Sequence, residues 1–203
     1  EGGSVPDTTP IARGAFRAVG PTRIEGGWEI STAAGGDLTI TDLSRLGKFS
    51  VRSAPGASAP AGFPAPWSST RIDGRLVTAA ASGEWMVISP TGSDAGISEG
   101  GDVLSVVDVS HGRAMLRLTG ARATALLSHI CAVDLSDSAV PQGTTLRTYV
   151  GKIVTDLVRD DVEGVQSFIL HSERSAGGSL LDSLLDAGVG LGVAFAGDGG
   201  TRP

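Results

Sequence analysis

Apolar and polar residues alternate along the chain in short bursts, and two of those bursts share a phrase. In DLTITDLS the apolar side chains Leu38, Ile40 and Leu43 fall at nearly every second position, and in KFSVRS Phe49 and Val51 do the same. That is the period of a strand with one buried face. RLVTAA and EWMVISP read as two further strands around the turn-forming ASG. Before them, APGASAPAGFPAPWSS carries four prolines and permits at most a short helix. Past a Gly, Ser and Asp loop from Thr91 to Asp102 come the strands VLSVVDVS and AMLRLTG, then ARATALLSHIC, whose Leu126, Leu127 and Ile130 form one helical stripe. TTLRTYV and KIVTDLVRDD read as a strand pair bent at Gly151, and VQSFILHS as another strand. ERSAGGSLLDSLLDAG reads as a second helix, with Leu180, Leu181, Leu184 and Leu185 at helical spacing and Gly188 placed to end it.

The phrase DLSRLGKFSVRSAPGA, beginning at Asp42, returns as DVSHGRAMLRLTGARA, beginning at Asp108. Both copies run Asp, apolar, Ser, basic or His, then a glycine and an alternating strand. The repeat predicts two related half-units, 26–92 and 102–197, forming one compact domain. The second half reads strand, strand, helix, strand, strand, strand, helix. The fold class this predicts is α+β, with mostly antiparallel sheets and helices packed on one face. In the first half the helix of the pattern is eroded by proline. Residues 1–25 mix Gly, Pro, Ser and Thr without sustained periodicity and read as a tail ordered by a partner, and 198–203 as a C-terminal tail.

Composition narrows the function. The 203 residues suffice for a sizeable core, and with aromatics at 4% of the chain that core has to be aliphatic. A net charge of −6, with the 16 basic residues scattered, argues against nucleic-acid binding. No run approaches the roughly 18 apolar residues of a membrane helix, and the start EGGSVPDTTP lacks the features of a signal peptide. The single cysteine, Cys131, excludes an internal disulfide and a cysteine-based zinc site. A cytoplasmic location is the expectation. Mean hydropathy of +0.13 without a membrane segment suggests apolar surface covered by another subunit.

The stretch VDVSHGRAMLRLTGARATALLSHICAVDLSDSAVPQGTTLRTYVGKIVTDLVRD, followed by FILHSERSAGGSLLDSLL, resembles the folate-linked aminomethyltransferase family of the glycine cleavage T-protein. Within that family it is most similar to the gamma subunits of heterotetrameric sarcosine oxidases, the match running from about Asp37 to Val193. The resemblance implies one subunit of an alpha, beta, gamma, delta oxidase that demethylates sarcosine to glycine with hydrogen peroxide, the one-carbon unit leaving as formaldehyde or as methylenetetrahydrofolate. It implies FAD, FMN, NAD, zinc and tetrahydrofolate in the other subunits and none in this chain, whose chief partner is a large subunit containing a folate domain. A stand-alone folate-binding protein or folate-dependent aminomethyltransferase, and a gamma-type subunit of a complex oxidising another secondary amine, are the alternatives.

The same resemblance implies an acidic residue preceded by Asn after the first helix in active relatives. Here Asp134 fills the acidic slot behind Val133, and Gly151 and Asp156 remain from a glycine-rich hairpin followed by Asp. A carboxylate without hydrogen-bonding neighbours is poorly aimed, so Asp134 is expected to serve as a turn residue and the pocket to be degenerate. His111, His129 and His171 show no metal-ligand spacing. Cys131 ends a helix, where no positive helix terminus activates a thiolate. Ser44 and Ser110 lack a nucleophile elbow and fit strand-end turns. The glycine pairs at Gly35, Gly100, Gly177 and Gly199 match no phosphate loop.

Overall fold

The repeated Asp-apolar-Ser phrase marks two corners at which the chain passes from one sheet to another. In the computed structural model, which describes residues 10–17, 20–198 and 203, the chain begins with β1 (Ala12–Arg13), β2 (Thr22–Glu25) and β3 (Trp28–Ser31), a small sheet in the order β1-β3-β2. β4 (Leu38–Asp42) then turns at the first corner into β5 (Gly47–Ser53), followed by β6 (Ser68–Ile72), β7 (Arg75–Ala81) and β8 (Glu84–Ser89). β9 (Val103–Asp108) turns at the second corner into β10 (Arg113–Thr119), followed by α1 (Ala123–Ser128), β11 (Thr145–Val150), β12 (Ile153–Arg159), β13 (Ser167–Glu173), α2 (Gly177–Gly188) and β14 (Val193–Asp198).

One sheet has six strands in the order β11-β12-β13-β10-β4-β14, and the other has five, β6-β7-β8-β5-β9. Neighbours are antiparallel except β4 with β14 in the larger sheet and β1 with β3 in the small one. The two corners cross in opposite directions: β4 in the large sheet leads to β5 in the five-stranded one, whereas β9 leads back to β10. β4 lies beside β10, and β5 beside β9.

Strand alternation divides the core into layers. Ala114, Leu116, Leu118, Leu157, Phe168 and Leu170 pack with Leu126, Leu127 of α1 and Leu180, Leu184 of α2. The intervening Met115, Val158 and Ile169 face the other sheet and meet Leu43, Leu46, Leu76, Met86 and Ile88. Beyond the five-stranded sheet, Val51, Val77, Ala79, Trp85 and Val87 form a third cluster. Among the described residues no helix forms over that face. The proline-rich stretch 54–66 covers it instead, with Phe63 edge-on to Trp85 at 5.6 Å and Trp85 Nε1 donating to Pro64 O at 3.0 Å.

Three sequence expectations need correction. Part of the segment read as an N-terminal tail is structured: Gly26 and Gly27 hold φ of 57° and 80°, the geometry of a tight hairpin turn joining β2 to β3, and Phe16 is buried against the helical layer. Residues 1–9 and 18–19 of that tail lie outside the described residues. Gly188 does not end α2 through a left-handed cap; after a 3-10 turn at Val189–Leu191 that role falls to Gly192, at φ 70°. Gly188 instead lies where a Cβ would strike Val193 and approach Leu126 Cδ1 at 2.8 Å. Finally, the C-terminal residues up to Asp198 belong to β14. Beyond it, 199–202 lie outside the described residues and Pro203 O accepts from Arg71 Nη1.

Candidate functional site

The space between the two large sheets changes character along its length. At one end the inward side chains are apolar: Leu76 on β7, Ile88 on β8, Met115 on β10, Val158 on β12 and Ile169 on β13. Two residues along, the same faces turn polar. Thr78 follows Leu76, Arg113 precedes Met115, Asp156 precedes Val158 and His171 follows Ile169. The polar end encloses a cleft of about 290 Å³, whose walls also include Ser50, Arg52, Ala80, Glu84 and Glu173.

Its charges are mostly paired. Arg147 grips Asp156 through Nε to Oδ1 at 2.6 Å and Nη2 to Oδ2 at 3.1 Å. Arg113 Nη1 lies 2.7 Å from Glu173 Oε1, and Arg52 Nη2 lies 3.3 Å from Glu84 Oε1. The exception is His171, 1% exposed, whose two ring nitrogens make no hydrogen bond; its nearest ionic neighbour, Asp156 Oδ2, is 3.7 Å from Nδ1. Burial pushes the His171 pKa down to about 4 despite the Asp156 carboxylate, with Arg113, Arg147 and Lys48 adding to the fall. The ring is therefore neutral at pH 7. Burial alone raises the Asp156 pKa, but the Arg147 hydrogen bonds and the nearby positive charges outweigh it and hold the carboxyl ionised.

Asp134 is exposed, and its Oδ1 accepts from Ser136 N at 2.9 Å, a local turn that lowers its pKa. It stands apart from Asp156, which points into the inter-sheet cleft. Gly151 occupies the β11–β12 hairpin with Lys152, both at positive φ, 56° and 68°. An open hollow of about 660 Å³ at the end of α1 is lined by His129, Cys131, Ala132, Gly151, Lys152 and Ser183, with no carboxylate among its lining residues. His129 Nδ1 is 3.2 Å from Ala187 O, and the His111 ring stacks on Trp28 at 5.3 Å. Only His171 of the three histidines reaches the cleft. Among the described residues no group of three or more His, Cys, Asp or Glu could hold a metal, and no helix is long and apolar enough to cross a membrane. Gly199 lies outside the described residues.

The two corners are built alike. Ser44 N donates to Asp42 Oδ1 at 2.7 Å and Ser110 N to Asp108 Oδ1 at 2.8 Å, the local bonding that Asp and Ser favour at turns. The serine hydroxyls accept from neighbouring segments, Ser44 Oγ from Ala15 N and Ser110 Oγ from Lys48 N. Between the corners lies the fully buried Lys48, whose Nζ donates to Leu46 O at 2.8 Å, Ser44 O at 3.0 Å and, more weakly, Ser110 O at 3.4 Å. Sequence reasoning missed Lys48 and the cleft. For the cleft the available signal was phase, since Asp156 and His171 keep step with Val158 and Ile169, at positions that call for apolar groups; Lys48 lies out of step with Phe49 and Val51 and carried no such signal.

No family model matches the chain, and no curated protein matches it. Solved structures do. The fold is that of aminomethyltransferase-like chains: it matches the glycine cleavage system aminomethyltransferase T from Bartonella henselae with a TM-score of 0.61 at 14% identity, over 87% of this chain and 55% of that one. It also matches a chain of the heterotetrameric sarcosine oxidase from Corynebacterium sp. U-96, solved in complex with pyrrole 2-carboxylate, with a TM-score of 0.65 at 20% identity, over 80% of this chain and 90% of that one. At these identities the likeness establishes the fold. It points to the same two proteins as the sequence resemblance.

Proposed function

We propose that the chain is a non-catalytic, gamma-type assembly subunit of a heterotetrameric, flavin-dependent sarcosine oxidase. The observation that carries this reading is coverage: the chain accounts for 90% of a chain from such an oxidase but for 55% of an aminomethyltransferase. Local geometry supports it. Asp134 is exposed and its Oδ1 closes its own turn by accepting from Ser136 N, and the hollow beside α1 offers no acid. β9 forms an open edge of the five-stranded sheet and exposes Leu104 and Val107, apolar surface of the kind a partner covers. In this reading alpha, beta and delta subunits supply FAD, FMN, NAD, zinc and tetrahydrofolate, and the complex converts sarcosine to glycine, hydrogen peroxide and formaldehyde or methylenetetrahydrofolate.

The test is co-expression of the Asp134→Asn variant of this chain with candidate alpha, beta and delta chains. Assembly and turnover within about two-fold of the parent are expected, since a turn aspartate is replaceable by asparagine. A loss of orders of magnitude with assembly intact overturns the reading. The likeness to aminomethyltransferase T keeps a second reading in play, a free-standing folate binder. That reading requires the isolated chain to gain thermal stability in excess tetrahydrofolate, whereas an assembly subunit gains none. A complex acting on another secondary amine is distinguished by the substrate of the assembled oxidase.

A further inference from the structure

The inter-sheet cleft holds a feature that assembly does not explain. A buried imidazole with both nitrogens unsatisfied forfeits hydrogen bonds it would keep in water, yet His171 lines a space large enough for several solvent-sized groups. The charges around it are unevenly buried. Glu84 and Glu173 have side chains 42% and 68% exposed, so water screens them, whereas the Arg113 side chain is 27% exposed. Arg52 and Arg147 are likewise open to water, at 57% and 45%, so Arg113 is the most buried cation of the wall, near a neutral ring that can donate one N–H. Arg113 spends only Nη1 on Glu173, and a guanidinium has five donors in all. The remaining wall is small or apolar: Ala80, Met86 and Val154.

We propose that this cleft is a binding site for a small organic monocarboxylate, its oxygens taken by the Arg113 guanidinium and the His171 ring N–H, its short apolar group lying against Ala80, Met86 and Val154. Guanidinium and carboxylate are complementary in shape and charge, and a carboxylate oxygen that reaches the ring offers the buried imidazole a partner that the chain itself does not supply. The inference rests on the cleft and is independent of the assembly reading.

Propionate is a suitable probe, with propionamide and propylamine as neutral and cationic counterparts. Titrated into the full chain at constant ionic strength, propionate is expected to raise the melting temperature saturably, with a dissociation constant on the order of 1 mM for so few atoms. It is also expected to move the imidazole nitrogen resonances of His171 while leaving those of His111 and His129 in place. Arg113→Gln is expected to weaken binding at least about ten-fold. Because Arg113 also pairs with Glu173, Val154→Trp at the exposed rim provides a second variant that blocks the cleft without disturbing the ion pairs. The proposal is overturned if propionamide or chloride acts as strongly as propionate, if the His171 resonances stay put, or if Val154→Trp binds like the parent; such results assign the cleft to ordered water.

Discussion

Lys48 supplies the sharpest test of the corner architecture. Its ammonium is enclosed between the two Asp-Ser turns, and burial brings its pKa from 10.5 down to about 8, against the pull of Asp42 and Asp108. In the unfolded chain the same group titrates near its ordinary value. Between pH 8 and 10.5 the unfolded state therefore binds more protons than the folded one, and stability must rise with pH across that window. At 1.36 kcal/mol for each tenfold step, the gain approaches about 3 kcal/mol. Losing the proton costs little in the fold: a neutral amine still has two hydrogens for Leu46 O and Ser44 O, and only the long contact to Ser110 O lapses. The chain contains just two lysines, the other being Lys152 in the β11–β12 hairpin turn, and subtracting the curve of a Lys48 variant isolates the contribution of Lys48 from every other alkaline group. Urea unfolding of the parent and of Lys48→Met, at half-unit steps from pH 7.5 to 10.5, reads it directly. The parent should gain stability relative to the variant by about 3 kcal/mol. Parallel curves for the two proteins refute the reasoning, because they mean that the three carbonyls hold the proton as firmly as water does.

Two further outcomes follow from packing and charge. Gly188→Ala should destabilise the chain by about 1–3 kcal/mol through overpacking against Val193 and Leu126, seen as a lower urea midpoint with unchanged slope; a neutral effect shows that α2 can shift to make room. His171, depressed to about 4 from 6.5, contributes stability that is complete above pH 6.5 and lost as pH falls toward 4, up to about 3 kcal/mol. His171→Gln should flatten that acid limb, and an unchanged limb places the titration elsewhere.

Most of the strands were legible from their apolar residues, one-sided as in Leu38 and Ile40, or continuous as in Phe168, Ile169 and Leu170, which are buried on both faces. Both helices were legible from their leucines. β6 escaped notice because SSTRI has a single aliphatic residue, and it is held by pairing with β7 rather than by a buried face. β1 and β2 escaped because their neighbours, and not their own composition, decide their pairing. The repeated phrase was visible in the sequence, but its consequence was not: nothing local in Asp-apolar-Ser says that the chain changes sheets there. The cleft was hidden for a related reason. Arg113, Asp156 and His171 come from three strands, and each is unremarkable until pairing aligns Asp156 with His171 across β12 and β13.

The opposed crossings at the two corners bear on how the protein is made. β4 belongs between β10 and β14, both of which leave the ribosome after it. The early stretch can assemble most of the five-stranded sheet as it emerges, but β4 must wait with both edges bare until first β10 and then β14 have been synthesised. Exposed edges of that kind invite pairing with other chains. Translation speed and chaperone access while the chain between β4 and β14 is being made therefore matter more to the yield of this protein than the order of its strands in sequence suggests.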